Sequence, residues 1–250
     1  VNGQYYRPYL LRGLDTATGQ NVAMMTKIDP MDALYRSDER VSYPIPGSSC
    51  PSSSATGTQG VSKHFRSRFR IDGLSQDLSI FNLHFLAFPD DAVRCRRREG
   101  QATVIADMVK DEVNNGNLVI ATGDFNDFAS SVCDINCNQP ISSVESIVRT
   151  AGGLINVAQG ISNVNERYAS WYNCNNNCIV ANNCLSMIDH VLVSDGLYNL
   201  MQSGTGSVTI DHGFENGCDT YYSDHWPYVI EFDLTASKMF NITNSKRTRN

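Results

Sequence analysis

Four short segments of this 250-residue chain carry residue types suited to acid–base and electrostatic chemistry. They are Asn82-Leu83-His84, Gly123-Asp124-Phe125-Asn126, Ile188-Asp189-His190 and Ser223-Asp224-His225-Trp226-Pro227. A carboxylate close to a carboxamide, as in Asp124 and Asn126, could orient a water and hold a phosphoryl oxygen. The adjacent Asp224 and His225 offer a metal ligand and a proton-transfer group together. A buried Asp189 needs a partner, and a histidine whose tautomer it fixes is a natural one. Each segment also has a plainer reading. Gly, Asp and Asn are all turn formers, Asp224 could cap a loop, and His84 sits within an apolar run as a core histidine does.

The elements that must position these residues are short strands and a few helices. Residues 21–28 form a compact apolar run that reads as a buried strand. Phe65, Phe69 and Ile71 alternate with Arg66, Arg68 and Arg70, the period of two of a half-buried strand. Residues 78–86 and 118–122 are more continuously apolar, as central strands tend to be, and 187–193 and 228–234 complete the set. Asp124 and Asn126 leave the end of one such run on the same side, because strand side chains alternate. Ala102, Ile105, Ala106, Val109 and Val113 recur at helical spacing until Gly116. A second helix follows Pro140, with Ser142 and Glu145 as a capping box and Gly152-Gly153 as its stop. Interleaved strands and helices, with strands in the majority, imply a mixed α/β domain with layered sheets.

Composition narrows the setting. The net charge of −6 argues against a protein that grips nucleic acid through a broad basic surface, while leaving room for a local basic groove. No apolar run approaches the roughly 20 residues that span a bilayer, and residues 1–7 have no signal-peptide pattern. The eight cysteines include the close sets Cys133/Cys137 and Cys174/Cys178/Cys184 in Asn-rich surroundings, without the CxxC pairs or nearby histidines of a zinc site. Disulfide-pinned loops, and hence an extracellular or lumenal setting, fit better. The sequon at Asn241-Ile242-Thr243 points the same way.

Taken in order, the four segments resemble the signature of the endonuclease/exonuclease/phosphatase superfamily, whose members include deoxyribonuclease-I-like nucleases, sphingomyelinases and inositol-phosphate phosphatases. The matching residues are Asn82 and His84, Asp124 and Asn126, Asp189, then Asp224 and His225, spread over about residues 20 to 234. The resemblance implies a four-layer αββα sandwich over residues 1–236, with 237–250 as a tail. It also implies roles. Asp124 would orient or deprotonate the attacking water, and Asn126 would bind the phosphate. His225, held by Asp189, would stabilise the pentacoordinate transition state, and His84 would act on the scissile phosphate or leaving group. Asp224 would help ligate Mg²⁺ or Mn²⁺. The expected activity is a secreted, metal-dependent phosphodiester hydrolase, with nucleic acid as the leading substrate and a sphingomyelin-like lipid next. A catalytically weakened extracellular binding module is the reading from a different class.

The family pattern normally opens with an Asn-bearing strand and a helix carrying a metal-ligating Glu, and neither precedes residue 20. A companion chain supplying that N-terminal portion is therefore expected. Among the remaining features, Arg94, Arg96, Arg97 and Arg98 read as a solvated cluster ahead of a helix, paired with Asp90, Asp91 and Glu99. Arg66, Arg68 and Arg70 read as a solvated strand face. At least two of Tyr168, Trp171 and Tyr172 are expected in the core.

Overall fold

The computed structural model describes residues 5–15, 18–88, 91–172, 174, 180–203, 206–213 and 223–235. The tail from 237, the sequon at Asn241, Cys178, Cys218 and Asp90 lie outside them. In chain order the described elements open with β1 (Arg7–Leu10), β2 (Ala23–Thr26), β3 (Val41–Tyr43), β4 (Gly57–Gln59), β5 (His64–Phe69) and β6 (Leu78–His84). Helix α1 (Ala92–Asn114), β7 (Leu118–Asp124), α2 (Val144–Gly152), β8 (Ile155–Asn156) and β9 (Ser170–Trp171) follow. The last are β10 (Leu185–Ser186), β11 (Asp189–Val193), α3 (Asp195–Gln202), β12 (Ser207–Ile210) and β13 (Tyr228–Glu231).

The centre is a mixed five-stranded sheet in the order β5-β6-β7-β11-β8. The continuously apolar β6 and β7 lie side by side and parallel, connected through α1, and their other neighbours run antiparallel. Period-two alternation divides each strand between two cores. Phe81, Leu83, Val119, Ala121 and Leu192 face α1 and α2, where they meet Val104, Ile105, Val109 and Val148. Leu78, Ile80, Leu118, Ile120 and Val191 face the other way, into a core shared with Trp171, Leu185, Val208, Ile210 and Trp226. That second core is roofed by the paired strands β9–β10 and β12–β13, and a bridge from Ser170 to His225 links them. Burying a large apolar side chain such as Phe81 or Phe85 stabilises by about 1.5–3 kcal/mol, so the two cores fix which way every strand residue points.

Several local expectations need correction. Residues 21–28 do not form a buried strand; β2 pairs with β1 in a two-stranded ribbon whose Leu10 and Met25 are exposed, with Met24 packing on the core. The Arg66, Arg68 and Arg70 face is not solvated as a whole. The segment around Asp32 and Tyr35 crosses it, so Arg66 is buried between Asp32 and Glu112, and Arg68 pairs with Asp32. Only Arg70 remains open, beside Asp77. Helix α1 begins at Ala92 with Asp91 capping the Val93 and Arg94 amides, so the arginine cluster lies within the helix. Arg98 and Glu99 are both fully buried there. The capping box before α2 does not form, because Ser142 donates to Asp127 while Glu145 accepts from Ser131 and Arg149. Gly153 ends that helix in the left-handed region, as the sequence implies.

Three disulfides join described cysteines, Cys50–Cys95, Cys133–Cys137 and Cys174–Cys184. The first ties the loop before β4 to α1 across 45 positions. Chain-entropy arguments give a loop of that length about 4 kcal/mol of stabilisation. Replacing both Cys50 and Cys95 by Ala should lower the urea-unfolding free energy by roughly that amount, and a loss under about 1 kcal/mol would show that this link constrains the unfolded chain little.

Candidate active site

Because β6 and β7 are parallel and β11 is antiparallel to them, the end of β6, the end of β7 and the start of β11 meet at one end of the sheet. In register, His84 lies beside Asp124, and Asp124 beside Asp189. The approach is close because Gly123 sits at φ +141 with no side chain; a Cβ there would stand 1.9 Å from the Leu83 carbonyl oxygen. Just past β7, Asn126 adopts φ +51 and folds back on Asp124, its amide nitrogen 2.7 Å from one carboxylate oxygen and its Nδ2 2.8 Å from the other. The same Nδ2 lies 3.2 Å from the Phe85 carbonyl.

The second roof completes the group. The Ser170–His225 bridge brings His225 over the strand ends, with Nδ1 2.6 Å from Asp189 Oδ2. His84 Nε2 lies 3.6 Å from Asp124 Oδ2. The structure thus brings His84, Asp124, Asn126, Asp189, Asp224 and His225 to one cleft of about 920 Å³ between the sheet and its roof. Asn82 lies one strand period below His84, and its Nδ2 is buried without a hydrogen-bond partner among the described residues.

Burial and mutual charge separate the protonation behaviour of these groups. Burial, reinforced by the charge of Asp189, pushes the Asp124 carboxyl up to about 7. His225 goes the opposite way from a lone buried imidazole. Burial opposes its charge, but the Asp189 hydrogen bond and the charges of Asp189, Asp124 and Asp224 raise it to about 9. Burial, with Lys63 and His225 adding to it, lowers His84 to about 4. Near neutrality the site therefore holds a charged His225, a neutral His84 and a carboxyl poised to exchange its proton.

Two features escaped sequence reasoning. Lys63 precedes β5 and extends beside His84, with its ammonium 3.2 Å from Gln20 Oε1 and 3.9 Å from Asp15 Oδ2. Burial lowers its pKa, opposed by Asp15 and Asp124. Its signal was present, since 63 shares the phase of Phe65 and Phe69, which makes it an inward-pointing lysine. The other is Asp127, which accepts from the Phe128, Ile141 and Ser142 amides and from Arg98. Arg98 also donates to the Leu86 carbonyl and to Ser142. This buried cluster fastens the loops after β6 and β7 to the segment before α2. Of the three aromatics flagged, Tyr168 and Trp171 pack into the core, whereas Tyr172 stands exposed.

No protein-family model and no curated protein matches the chain. Solved structures do. A 3′ phosphatase from Neisseria bound to product DNA hairpin superposes with a TM-score of 0.58 at 18% identity, over 91% of this chain and 79% of that one. A 3′-5′ exonuclease from Neisseria meningitidis gives 0.53 at 18%, over 84% and 74%. An endonuclease/exonuclease/phosphatase family protein from Leptotrichia buccalis gives 0.52 at 12%, over 92% and 73%. The fold is that of the endonuclease/exonuclease/phosphatase proteins.

The sequence resemblance implies a divalent cation, with Asp224 as its expected ligand. Its carboxylate is 63% exposed in the cleft, one oxygen 4.0 Å from His225 Nε2. Among the described residues, no three His, Cys, Asp or Glu side chains converge as a metal would require. The described donors thus offer a cation one open carboxylate rather than a coordination shell.

The His225–Asp189 bond has a measurable signature. A pKa raised on folding contributes stability that is complete below about 6.5, the ordinary histidine value, and is lost as the pH rises through the folded value. In chelator-treated protein followed by NMR, His225 should titrate near 9. In Asp189→Asn its midpoint should fall toward about 6.5 or below; an unmoved midpoint would refute Asp189 as its cause.

Proposed function

We propose that this chain is a phosphodiester hydrolase acting outside the cell, with nucleic acid as its substrate and Mg²⁺ or Mn²⁺ as its cation, bound in part by Asp224. One observation carries the reading: within a single cleft, Asp124, held by Asn126, lies in register beside Asp189, whose carboxylate takes His225 Nδ1 at 2.6 Å, so that a carboxyl base and a charge-paired imidazole face the same space. The nucleic-acid assignment draws on the DNA-bound phosphatase and the exonuclease that share the fold. The extracellular setting draws on the three disulfides.

In this mechanism the scissile phosphate enters between Asn126 and His225. Asn126 commits its backbone N–H and its side-chain NH₂ to Asp124 and the Phe85 carbonyl, and so fixes the Asp124 carboxylate in place. Asp124 takes the proton of a water whose oxygen attacks phosphorus in line with the departing oxygen; the new P–O bond forms as the old one breaks. His225 carries its positive charge beside the equatorial oxygens, where negative charge accumulates, and Asp189 fixes the ring and keeps it charged. Neutral His84, adjacent to Asp124, hydrogen-bonds the phosphate or the leaving oxygen. The leaving oxygen gains a proton from solvent, and Asp124 returns its own to solvent before the next turnover.

The test is hydrolysis of plasmid DNA and of bis(p-nitrophenyl) phosphate with Mg²⁺, then with chelator. Asp124→Asn keeps the shape of the side chain and should lower kcat by about 10²- to 10⁴-fold, and chelation should abolish turnover. If folded wild-type protein hydrolyses neither substrate, the chain is better read as an extracellular binding module.

A further inference from the structure

The cleft extends well beyond what a phosphate fills, and its volume of about 920 Å³ is in the range that accommodates whole organic ligands. Two aromatic rings stand at it in water: Phe88, 64% exposed, from the loop after β6, and Tyr172, 59% exposed, from the residue after β9. They come from the two different layers that bound the cleft. Tyr5, Tyr6 and Tyr35 are exposed as well; what sets Phe88 and Tyr172 apart is that both line this cleft, from opposite walls, beside the polar groups.

Phe88 is held in place at some cost. It adopts φ +64, a left-handed conformation that a bulky side chain rarely takes. The Asp91 amide donates to its carbonyl at 3.3 Å, and Asp91 in turn caps the first turn of α1. That turn carries Arg94, whose guanidinium lies 4.4 Å from the Phe88 ring centroid. A cation thus supports one face of the ring while most of its surface remains open. Flat π-faces with a nearby cation suit a nucleobase attached to a phosphate chain, since base-on-aromatic stacking tolerates every base. A base inside a duplex has both faces covered by its neighbours, so only an unpaired base can use such a platform.

We infer that Phe88, backed by Arg94, and Tyr172 form a stacking subsite for unpaired nucleotides flanking the scissile phosphate, so that the substrate is single-stranded nucleic acid or a frayed end. The inference rests on the hydrolase reading above and narrows it.

The experiment compares a labelled single-stranded DNA 12-mer, its blunt duplex, the same strand with abasic units, and sphingomyelin vesicles, with anisotropy of strand binding measured alongside turnover. Wild type should prefer the base-bearing single strand over the duplex and the abasic strand. In Phe88→Ala and Tyr172→Ala the ratio of kcat/KM for base-bearing over abasic strand should fall by about 5- to 150-fold, the range of stacking per base, mainly through KM. Phe88→Trp should restore the ratio and Phe88→Leu should not, which separates stacking from apolar contact. Equal cleavage of single strand and duplex, or an unchanged ratio in Phe88→Ala, would overturn the subsite and leave the hydrolase reading intact. Base-dependent strand binding with no turnover of any substrate would retain the subsite and remove the hydrolase. Turnover of the vesicles alone would overturn the inference in favour of a lipid phosphodiesterase.

Discussion

Two carboxylates placed side by side on neighbouring strands constitute an electrostatic problem that the rest of the site must solve. Asp124 and Asp189 are register partners across β7 and β11, both turned toward the same core. Like charges at such range cannot both be comfortable away from water. The molecule answers by assigning His225 to Asp189 as a counter-charge, drawn from the opposite layer by the single bridge to Ser170. The residual cost is left on Asp124, which burial and its neighbour hold close to the protonated form at neutral pH. Relieving the repulsion would remove the second of the two causes that raise this carboxyl, burial being the first.

The arrangement depends on backbone that cannot drift. Gly123 lets β7 approach the Leu83 carbonyl, and the left-handed turn at Asn126 returns its side chain to Asp124. Behind that turn, fully buried Arg98 and Asp127 join α1 to both site loops. A buried ion pair is expensive to assemble and more expensive to break by removing one partner. Asp127 satisfies that demand with four further contacts from Phe128, Ile141 and Ser142. The helical layer therefore reaches the chemistry through this cluster without contributing a side chain to the cleft floor.

What could be read from the sequence follows from what is local. The strand ends at Asp124 and Asp189 were legible because apolar periodicity marks a strand and a polar residue marks where it emerges, whereas His84, which closes β6, lies inside the apolar run 78–86. The mixed α/β class was legible for the same reason. Residues whose meaning lies in distant partners were not. Ser142 and Glu145 match a capping box, yet their atoms are taken by Asp127, Ser131 and Arg149. The run at 21–28 is as apolar as a core strand, but it pairs only with β1 at the surface. Arg98 looked solvated within a charged stretch because charge spacing along a helix does not reveal an aspartate brought up from a turn 29 positions away.

The rim of the cleft is braced in a way that bears on how ligands are held. Asn136, within the loop closed by Cys133–Cys137, donates to the carbonyls of Asn182 and Leu185, on either side of Cys184, whose disulfide to Cys174 closes the neighbouring segment. The Cys133–Cys137 loop is thereby stitched to residues 182–185 beside Tyr172. A wall ordered in advance loses little freedom when something settles against it, so less of the contact energy is consumed by ordering and more remains as affinity. The same stitching means that side chains on the rim can be exchanged without rebuilding the frame. A change of side chain at Tyr172 would leave both hydrogen bonds from Asn136 and both disulfides in place.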